Sequence, residues 1–352
     1  MEKIIGIVDK FNVEGELISI LPFGEGHVNS TFLVQTTLNK YILQKINTKA
    51  FKNPEQLMDN LLKVTNSLRE SGKETMSFIL TKDGKYFYKD KNAYRMYEFI
   101  DDVIVFQKIP SPQVFRQAGY AFGEFINGLE KFDAKELYET IRDFHNTPKR
   151  FADFKKAVEK DSLGRARACK QEIAFVLERE DTLSVAVEDL KSGKLPLRVT
   201  HNDTKLNNIL MDKTTLEPRM VIDLDTIMPG SLIYDFGDAI RFGASTAKED
   251  EQNLDLVHFD INMFSAFAEG FIEALRQTIT DRELELLPYG AYLMTIECGM
   301  RFLADHLEGD VYFSTAYIGH NLVRARTQFR LAKEMQENLD KMSDIIWGIK
   351  NK

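Results

Sequence analysis

The chain is poor in cysteine: of its 352 residues only Cys169 and Cys298 are thiols. They stand far apart and match no metal-ligand or redox spacing, so two packed thiols are expected rather than a disulfide. No window approaches the roughly 18 uncharged apolar residues of a membrane span. The N-terminal MEKIIGIVDKF interleaves acid and base without a long apolar run, unlike a signal peptide. A basic excess is also missing. Lys and Arg number 46 against 54 Asp and Glu, a formal charge of −8, which argues against a nucleic-acid groove or a polybasic membrane surface. Internal repeats and low-complexity segments are absent as well. The expectation is a soluble, cytoplasmic protein with neither nucleic acid nor membrane as partner.

What is present is ample apolar material, 43% of the chain with 25 Phe and 12 Tyr. The length exceeds what one hydrophobic core usually serves, so one bilobal unit or two domains is expected. Residues 16–100 read mostly as strands: ELISILPF, VNSTFLVQT, KYILQKI and AYRMYEFI carry β-branched and aromatic residues at short spacing. SFILTKDGKYFYKD reads as a hairpin turning on Asp83-Gly84. One helix interrupts them. Asn53 caps it, Pro54 opens it, Leu57, Leu61, Val64 and Leu68 form its stripe, and Gly72 ends it. DDVIVFQKIPSP reads as a connector, and after Pro112 long helices dominate, interrupted around residues 195–232 by a short hairpin. The order predicts an α+β fold. A small antiparallel sheet lobe with one helix (residues 1–100) precedes a larger, mainly helical lobe with the embedded hairpin (101–352). The junction falls near residues 97–103.

LRVTHNDTKLNNILMD, residues 197–212, leaves a buried strand, crosses a run of polar side chains and returns to an apolar strand. Asp203 and Asn208 stand five apart, with His201 two before the Asp and Lys205 two after it. Asp223 ends the next apolar strand in VIDLDT, followed by Asp225. The hairpin between them would set Asn208 and Asp223 side by side at one end of two paired strands. An amide oxygen and a carboxylate so placed suit Mg²⁺, which prefers oxygen donors and keeps water and phosphate for its other positions. Asp203 would be left to accept a proton from a hydroxyl, and Lys205 could reach a phosphoryl group in flight. Such polar clusters between strands are most often capped turns. The full spacing, strands on both sides and the second Asp at a strand end outweigh that reading.

HNDTKLNN with VIDLDT resembles the H-x-D-x-x-x-x-N and following D of protein-kinase-like phosphotransferases, as in aminoglycoside phosphotransferases and choline kinases. The resemblance implies that Asp203 is the catalytic base, that Asn208 and Asp223 are magnesium ligands, and that Lys205 sits near the γ-phosphate. His201 would be architectural, and Asp235, in YDFGDAIR, would hydrogen-bond the catalytic loop's backbone. FGEGHVNSTF lies between two strands, where a phosphate-covering loop belongs. Gly24 and Gly26 would let backbone approach the phosphates, and Asn29, Ser30 and Thr31 would add donors. MYEFI resembles the hinge between lobes, where main-chain groups of Tyr97, Glu98, Phe99 and Ile100 would meet adenine. One position departs from the pattern. Protein kinases carry a lysine on the third strand, where KYILQKI offers Gln44 or Lys45 on opposite faces. Gln44 aligns with the lysine, Lys45 then turns outward, and which one touches nucleotide stays open.

EGHVNSTF, YILQKINTKAFKNPEQLM, YRMYEFID, FHNTPKR, THNDTKLNNIL, VIDLDTIMPG and MRFLADHLEGDVYF together resemble the N-acetylhexosamine 1-kinases and their close relatives. That likeness implies ATP and Mg²⁺ as cofactors, and phosphorylation of the anomeric hydroxyl of N-acetylglucosamine or N-acetylgalactosamine. It points to Arg301 and Tyr312 as sugar contacts, with Asp225 and His27 as weaker candidates. Arg301 has a competing account as the helix-spaced partner of Asp305. A kinase for choline, homoserine or an aminoglycoside is the runner-up. A scaffold that binds nucleotide without turnover is a third reading.

Overall fold

The computed structural model describes residues 2–24 and 29–352. The first part of the chain runs α1 (Glu2–Val8), β1 (Leu17–Pro22), β2 (Ser30–Thr36), β3 (Lys40–Ile46), α2 (Pro54–Glu70), β4 (Tyr88–Lys89) and β5 (Ala93–Glu98). Its strands form one antiparallel sheet in the order β1-β2-β3-β5-β4. α2 starts and stops where its side chains dictate. The Asn53 side chain accepts from the Gln56 N–H at 3.2 Å, and Gly72, just past the end, takes a φ of 78°.

β6 (Val103–Ile104), α3 (Pro112–Gly128), α4 (Thr147–Lys160), α5 (Lys170–Leu177), α6 (Val185–Ser192) and β7 (Arg198–Thr200) follow. Then come β8 (Ile209–Asp212), β9 (Pro218–Val221), β10 (Met228–Gly230) and α7 (Leu232–Gly243), and last α8 (Ile261–Leu275), α9 (Asp281–Glu308), α10 (His320–Glu337) and α11 (Leu339–Lys350). The small antiparallel sheet and the mainly helical second lobe match the fold class expected from the sequence. α7 and α9 cross at two glycines: a Cβ on Gly237 would lie 2.2 Å from the Gly290 carbonyl oxygen. That close approach holds α7 under the loop between β7 and β8. Among the described residues no helix is long and apolar enough to cross a membrane.

Several details depart from expectation. α1 covers the outer face of the sheet, where Ile7, Val8 and Phe11 pack with Val34, Leu43, Tyr94 and Met96. The Asp83-Gly84 turn forms, with the Gly84 N–H donating to the Thr81 carbonyl at 2.9 Å, but its flanks do not make a hairpin. Phe78 bridges Tyr97 and Thr81 bridges Phe11, while β4 pairs with β5. The connector supplies a strand, since β6 pairs with β8. α2 sinks its apolar stripe into the large core that also contains Phe122, Leu232 and Leu287. Both cysteines are free thiols.

Candidate active site

The loop after β7 is held by the first two turns of α7. The buried Asp235 carboxylate accepts the N–H groups of His201 at 2.8 Å and Asn202 at 2.7 Å. The Thr204 hydroxyl donates to the Asp235 carbonyl, and its N–H donates to Asp238. Burial pushes the Asp235 carboxyl up to about 6, against the pull of the two amides. His201 Nδ1 accepts the Asp203 N–H at 3.2 Å, which leaves Nε2 to donate to the Ile222 carbonyl at 2.9 Å. Those two partners assign one neutral tautomer. Phe122 and Phe125 pack edge-on against the ring, so His201 braces the loop against the end of β9 as a structural post.

The ladder of β8 and β9 pairs Ile209 with Val221, and the Ile222 N–H extends it to the Asn208 carbonyl at 2.9 Å. Asn208 and Asp223 therefore stand at the same end of two paired strands. Asp223 takes a left-handed backbone, φ 57°, a conformation that non-glycine residues keep where surroundings enforce it. Asn208 Nδ2 donates to Asp203 at its carbonyl (2.8 Å) and its Oδ2 (3.0 Å), turning the amide oxygen elsewhere. Lys205 Nζ sits 2.6 Å from Asp203 Oδ1. Burial works against the Lys205 charge, yet Asp203 and Asp238 hold its pKa above the ordinary lysine value.

Burial, then the neighbouring Asp225 and Asp203 carboxylates, push Asp223 up to about 7, although Arg95 and Lys205 pull the other way. A divalent cation would offset this excess of negative charge. Among the described residues no three His, Cys, Asp or Glu side chains converge as a metal cage. One amide and one carboxylate are instead the donor set of an ion that completes its shell with phosphate and water. The residues present fit Mg²⁺ delivered with a nucleotide.

Register places Gln44 across from Arg95 and Lys45 across from Tyr94. Gln44 thus faces the cleft, and Lys45 lies on the opposite face, the one α1 covers. Arg95 was not anticipated from the sequence; its signal there is a charge flanked by apolar and aromatic residues in the middle of a strand. It is fully buried, and its Nε and Nη2 donate to Gln44 Oε1 at 3.0 and 2.7 Å. Its Nη1 lies 2.5 Å from Asp225 Oδ1. Asn29 Nδ2 donates to Asp225 Oδ2 at 2.6 Å while Asn29 Oδ1 accepts the Asn47 N–H. Asp225 is thereby engaged by the small lobe rather than presented to an open pocket. Thr31 accepts from Gln44, Ser30 is exposed, and Gly24 has φ 78° with open space around it. Gly26 and His27 lie outside the described residues. At the junction, Glu98 and Phe99 already spend their N–H groups on the Ser77 and Lys40 carbonyls, and Tyr97 lies within the β3–β5 ladder. Ile100 has no such backbone partner among the described residues, which narrows the main-chain donors expected for adenine.

Arg301, on α9, has no carboxylate partner among the described residues. Its guanidinium lies 5.4 to 5.8 Å from the ring centroids of Phe144, Tyr312 and Phe313. The competing account, a helix-spaced pair with Asp305, does not form. The buried Asp305 carboxylate instead accepts the N–H groups of Val311, Tyr312 and Phe313 at 2.8 to 3.0 Å, plus Asn321 Nδ2 at 2.8 Å. A cavity of about 320 Å³ beside Arg301 is lined by Arg150, Asp153, Asp305, Tyr312 and Phe313. Of FHNTPKR only Arg150 lines it, while other residues of the segment reach α9. His145 Nδ1 lies 2.9 Å from Glu297 Oε1, and Thr147 donates to Glu297 Oε2. Burial and then the neighbouring Arg301 hold Arg150 below the ordinary arginine value. A second cavity, of about 160 Å³, carries Phe144 and His145 on one side and Asn202 of the catalytic loop on another. His145, Glu297 and Arg150 were not singled out from the sequence, because long-range contacts alone reveal them.

A sheet lobe facing a helical lobe, with a polar loop and a strand-end carboxylate between them, defines a protein-kinase-like phosphotransferase. More narrowly, the chain belongs to the phosphotransferase enzyme family, whose model matches residues 19–272. The fold is similar to that of a microcompartment-associated aminopropanol kinase (TM-score 0.65, 16% identity, covering 97% of this chain and 99% of that one). It is also similar to a choline kinase from Cryptosporidium parvum (0.63, 16%, 99% and 97%). A third likeness is to a spectinomycin phosphotransferase solved with ADP and spectinomycin (0.59, 14%, 97% and 98%).

Proposed function

We propose that the protein transfers the terminal phosphoryl group of ATP to the anomeric hydroxyl of N-acetylglucosamine or N-acetylgalactosamine, giving the sugar 1-phosphate. The observation that carries the acceptor class is Arg301, a cation in an aromatic bay with no acid paired to it among the described residues. Of the nearby acids, Glu297 is taken by His145 and Thr147, Asp305 by its loop and Asp153 by Lys149, while Glu308, also in the cavity lining, is exposed. A neutral polyol needs directional donors and an aromatic wall, whereas a cationic amino alcohol needs uncommitted acid. The kinases of similar fold named for aminopropanol and choline make the amino alcohol the second reading.

Nucleotide would lie in the cleft between residues 1–100 and 101–352. Asn208 and Asp223 would hold Mg²⁺, which when bound offsets the phosphate charge. Asp203 orients the acceptor hydroxyl and takes its proton as the new O–P bond forms and ADP departs. Lys205 neutralises the transferring group while steering Asp203 through their 2.6 Å contact. Catalysis of this kind is positioning and charge stabilisation, with no covalent enzyme intermediate. His201 and Asp235 would keep the loop in shape.

The test is magnesium-dependent ATP consumption across a panel of N-acetylhexosamines, other hexoses, choline, homoserine and an aminoglycoside. Identification of the phosphorylated position in the product completes it. Turnover confined to the amino alcohols would replace the sugar reading with the second. ATP binding without turnover of any panel member would leave a nucleotide-binding scaffold.

A further inference from the structure

We propose that Arg95 is the phosphate-facing cation of the small lobe, carried on β5 instead of on the third strand. The inference rests on the cleft being a nucleotide site and goes beyond it by naming the group that grips the phosphates. Protein kinases place a lysine at the third-strand position, which here is Gln44. Gln44 is not an empty substitute. Its Nε2 donates to the Thr31 hydroxyl at 3.2 Å, which fixes the amide so that Oε1 faces Arg95 and accepts from both Nε and Nη2. A lysine at 44 would stand directly across the strands from Arg95 with like charge, an unfavourable pair. The sheet has room for one cation at this level and carries it one strand over.

The direction of the guanidinium supports the same conclusion. With Nε and Nη2 spent on Gln44, Nη1 projects across the cleft, 2.5 Å from Asp225 Oδ1. Among the described residues neither atom has a hydrogen-bond partner of proper alignment, although both are buried. An arginine at 2% side-chain exposure with a donor unmatched in geometry is primed for a better acceptor. Asp225 keeps its bond from Asn29 if Arg95 turns to a phosphate. Asp225 is two residues from Asp223, so the cation already lies beside the candidate metal ligand. A planar fork, pre-oriented by Gln44, also suits phosphate oxygens better than a flexible ammonium.

Calorimetric titration of the whole protein with Mg·ADP and, separately, with adenosine tests this without reference to the acceptor. Arg95→Gln is expected to weaken Mg·ADP about 10- to 100-fold, the range for a charge-assisted hydrogen bond, and to leave adenosine within about twofold. A merely structural ion pair would move both ligands together, and that outcome, or no loss for Mg·ADP, overturns the proposal. Arg95→Lys keeps the charge and loses the fork, so its Mg·ADP affinity should fall between the two. It supplies the same ADP-against-adenosine contrast should Arg95→Gln not fold. A wild-type protein that binds neither ligand would refute the nucleotide reading above, and this proposal with it.

Discussion

Asp305→Ala tests the proposed acceptor site at a distance from the catalytic loop. The carboxylate gathers three consecutive backbone N–H groups and the Asn321 amide, and hydrogen bonds to a charged group contribute about 1.5–3 kcal/mol each. The full sum is not lost, because Val311 and Tyr312 are 77% and 67% exposed and water can replace their partner. Asn321 keeps its second acceptor, Asp310. A destabilisation of about 3 kcal/mol is expected, read by urea unfolding. The substitution also reaches the site beside Arg301. The loop carries Tyr312 and Phe313, two of the three rings around Arg301. Each cation–π contact is worth roughly 0.5–1 kcal/mol at a partly exposed site, so losing both removes an orienting energy equivalent to about tenfold. The acceptor KM should therefore rise roughly tenfold while Mg·ADP affinity stays within twofold, and protease should cut more readily around residues 310–318. Acceptor KM unchanged in a loop shown by proteolysis to be loose would refute the placement of the acceptor beside Arg301.

Asp203→Asn should lower kcat by about 10²–10⁴, the usual reach of a general base, with an unchanged circular dichroism spectrum; normal turnover would sink its role. Asp235 sits at about 6 in the folded protein against an ordinary 3.8. The folded chain thus holds a proton that the unfolded chain releases from about pH 4 upward. Its contribution to stability accordingly falls as pH rises from about 4 to 6, by about 3 kcal/mol in all. Subtracting the unfolding profile of Asp235→Asn from that of the wild type should expose that slope, and parallel profiles would contradict it. Gly237→Ala would place a methyl 2.2 Å from a backbone oxygen that cannot swing aside. A loss of about 3 kcal/mol or more is expected, with a lowered calorimetric midpoint; an unchanged midpoint would mean that α7 and α9 can part at no cost.

The candidate site was legible where its chemistry is local. The spacing of Asp203 and Asn208, and the strand that ends at Asp223, are consecutive text, and the β8–β9 register follows from the hairpin that joins them. The helix from Pro54 was equally plain, because its cap and stripe are short-range signals. Arg95 was hidden for the opposite reason. Its meaning depends on β5 pairing with β3 in one register out of several, and a shift by one residue would put it on the other face. Asp305 shows a related limit. Four residues along a helix it looked like Arg301's partner, but the chain doubles back past Gly309 and offers it three amides instead. His145 and Glu297, 152 positions apart, can be joined only by folding.

Asn60 bears on how such a cleft would breathe. From the middle of α2 it donates to the carbonyls of Tyr138 and Ile227 and accepts the Tyr138 N–H at 2.8 Å, all in the other lobe. α2 is thus riveted to the base, although the chain order groups it with the sheet. If α2 stays with the base, an opening that admits a nucleotide would swing the strands over it, with the flexing at the segments that leave β3 and β5. Hydrogen exchange should then stay slow in α2 while protection of the strands varies with nucleotide.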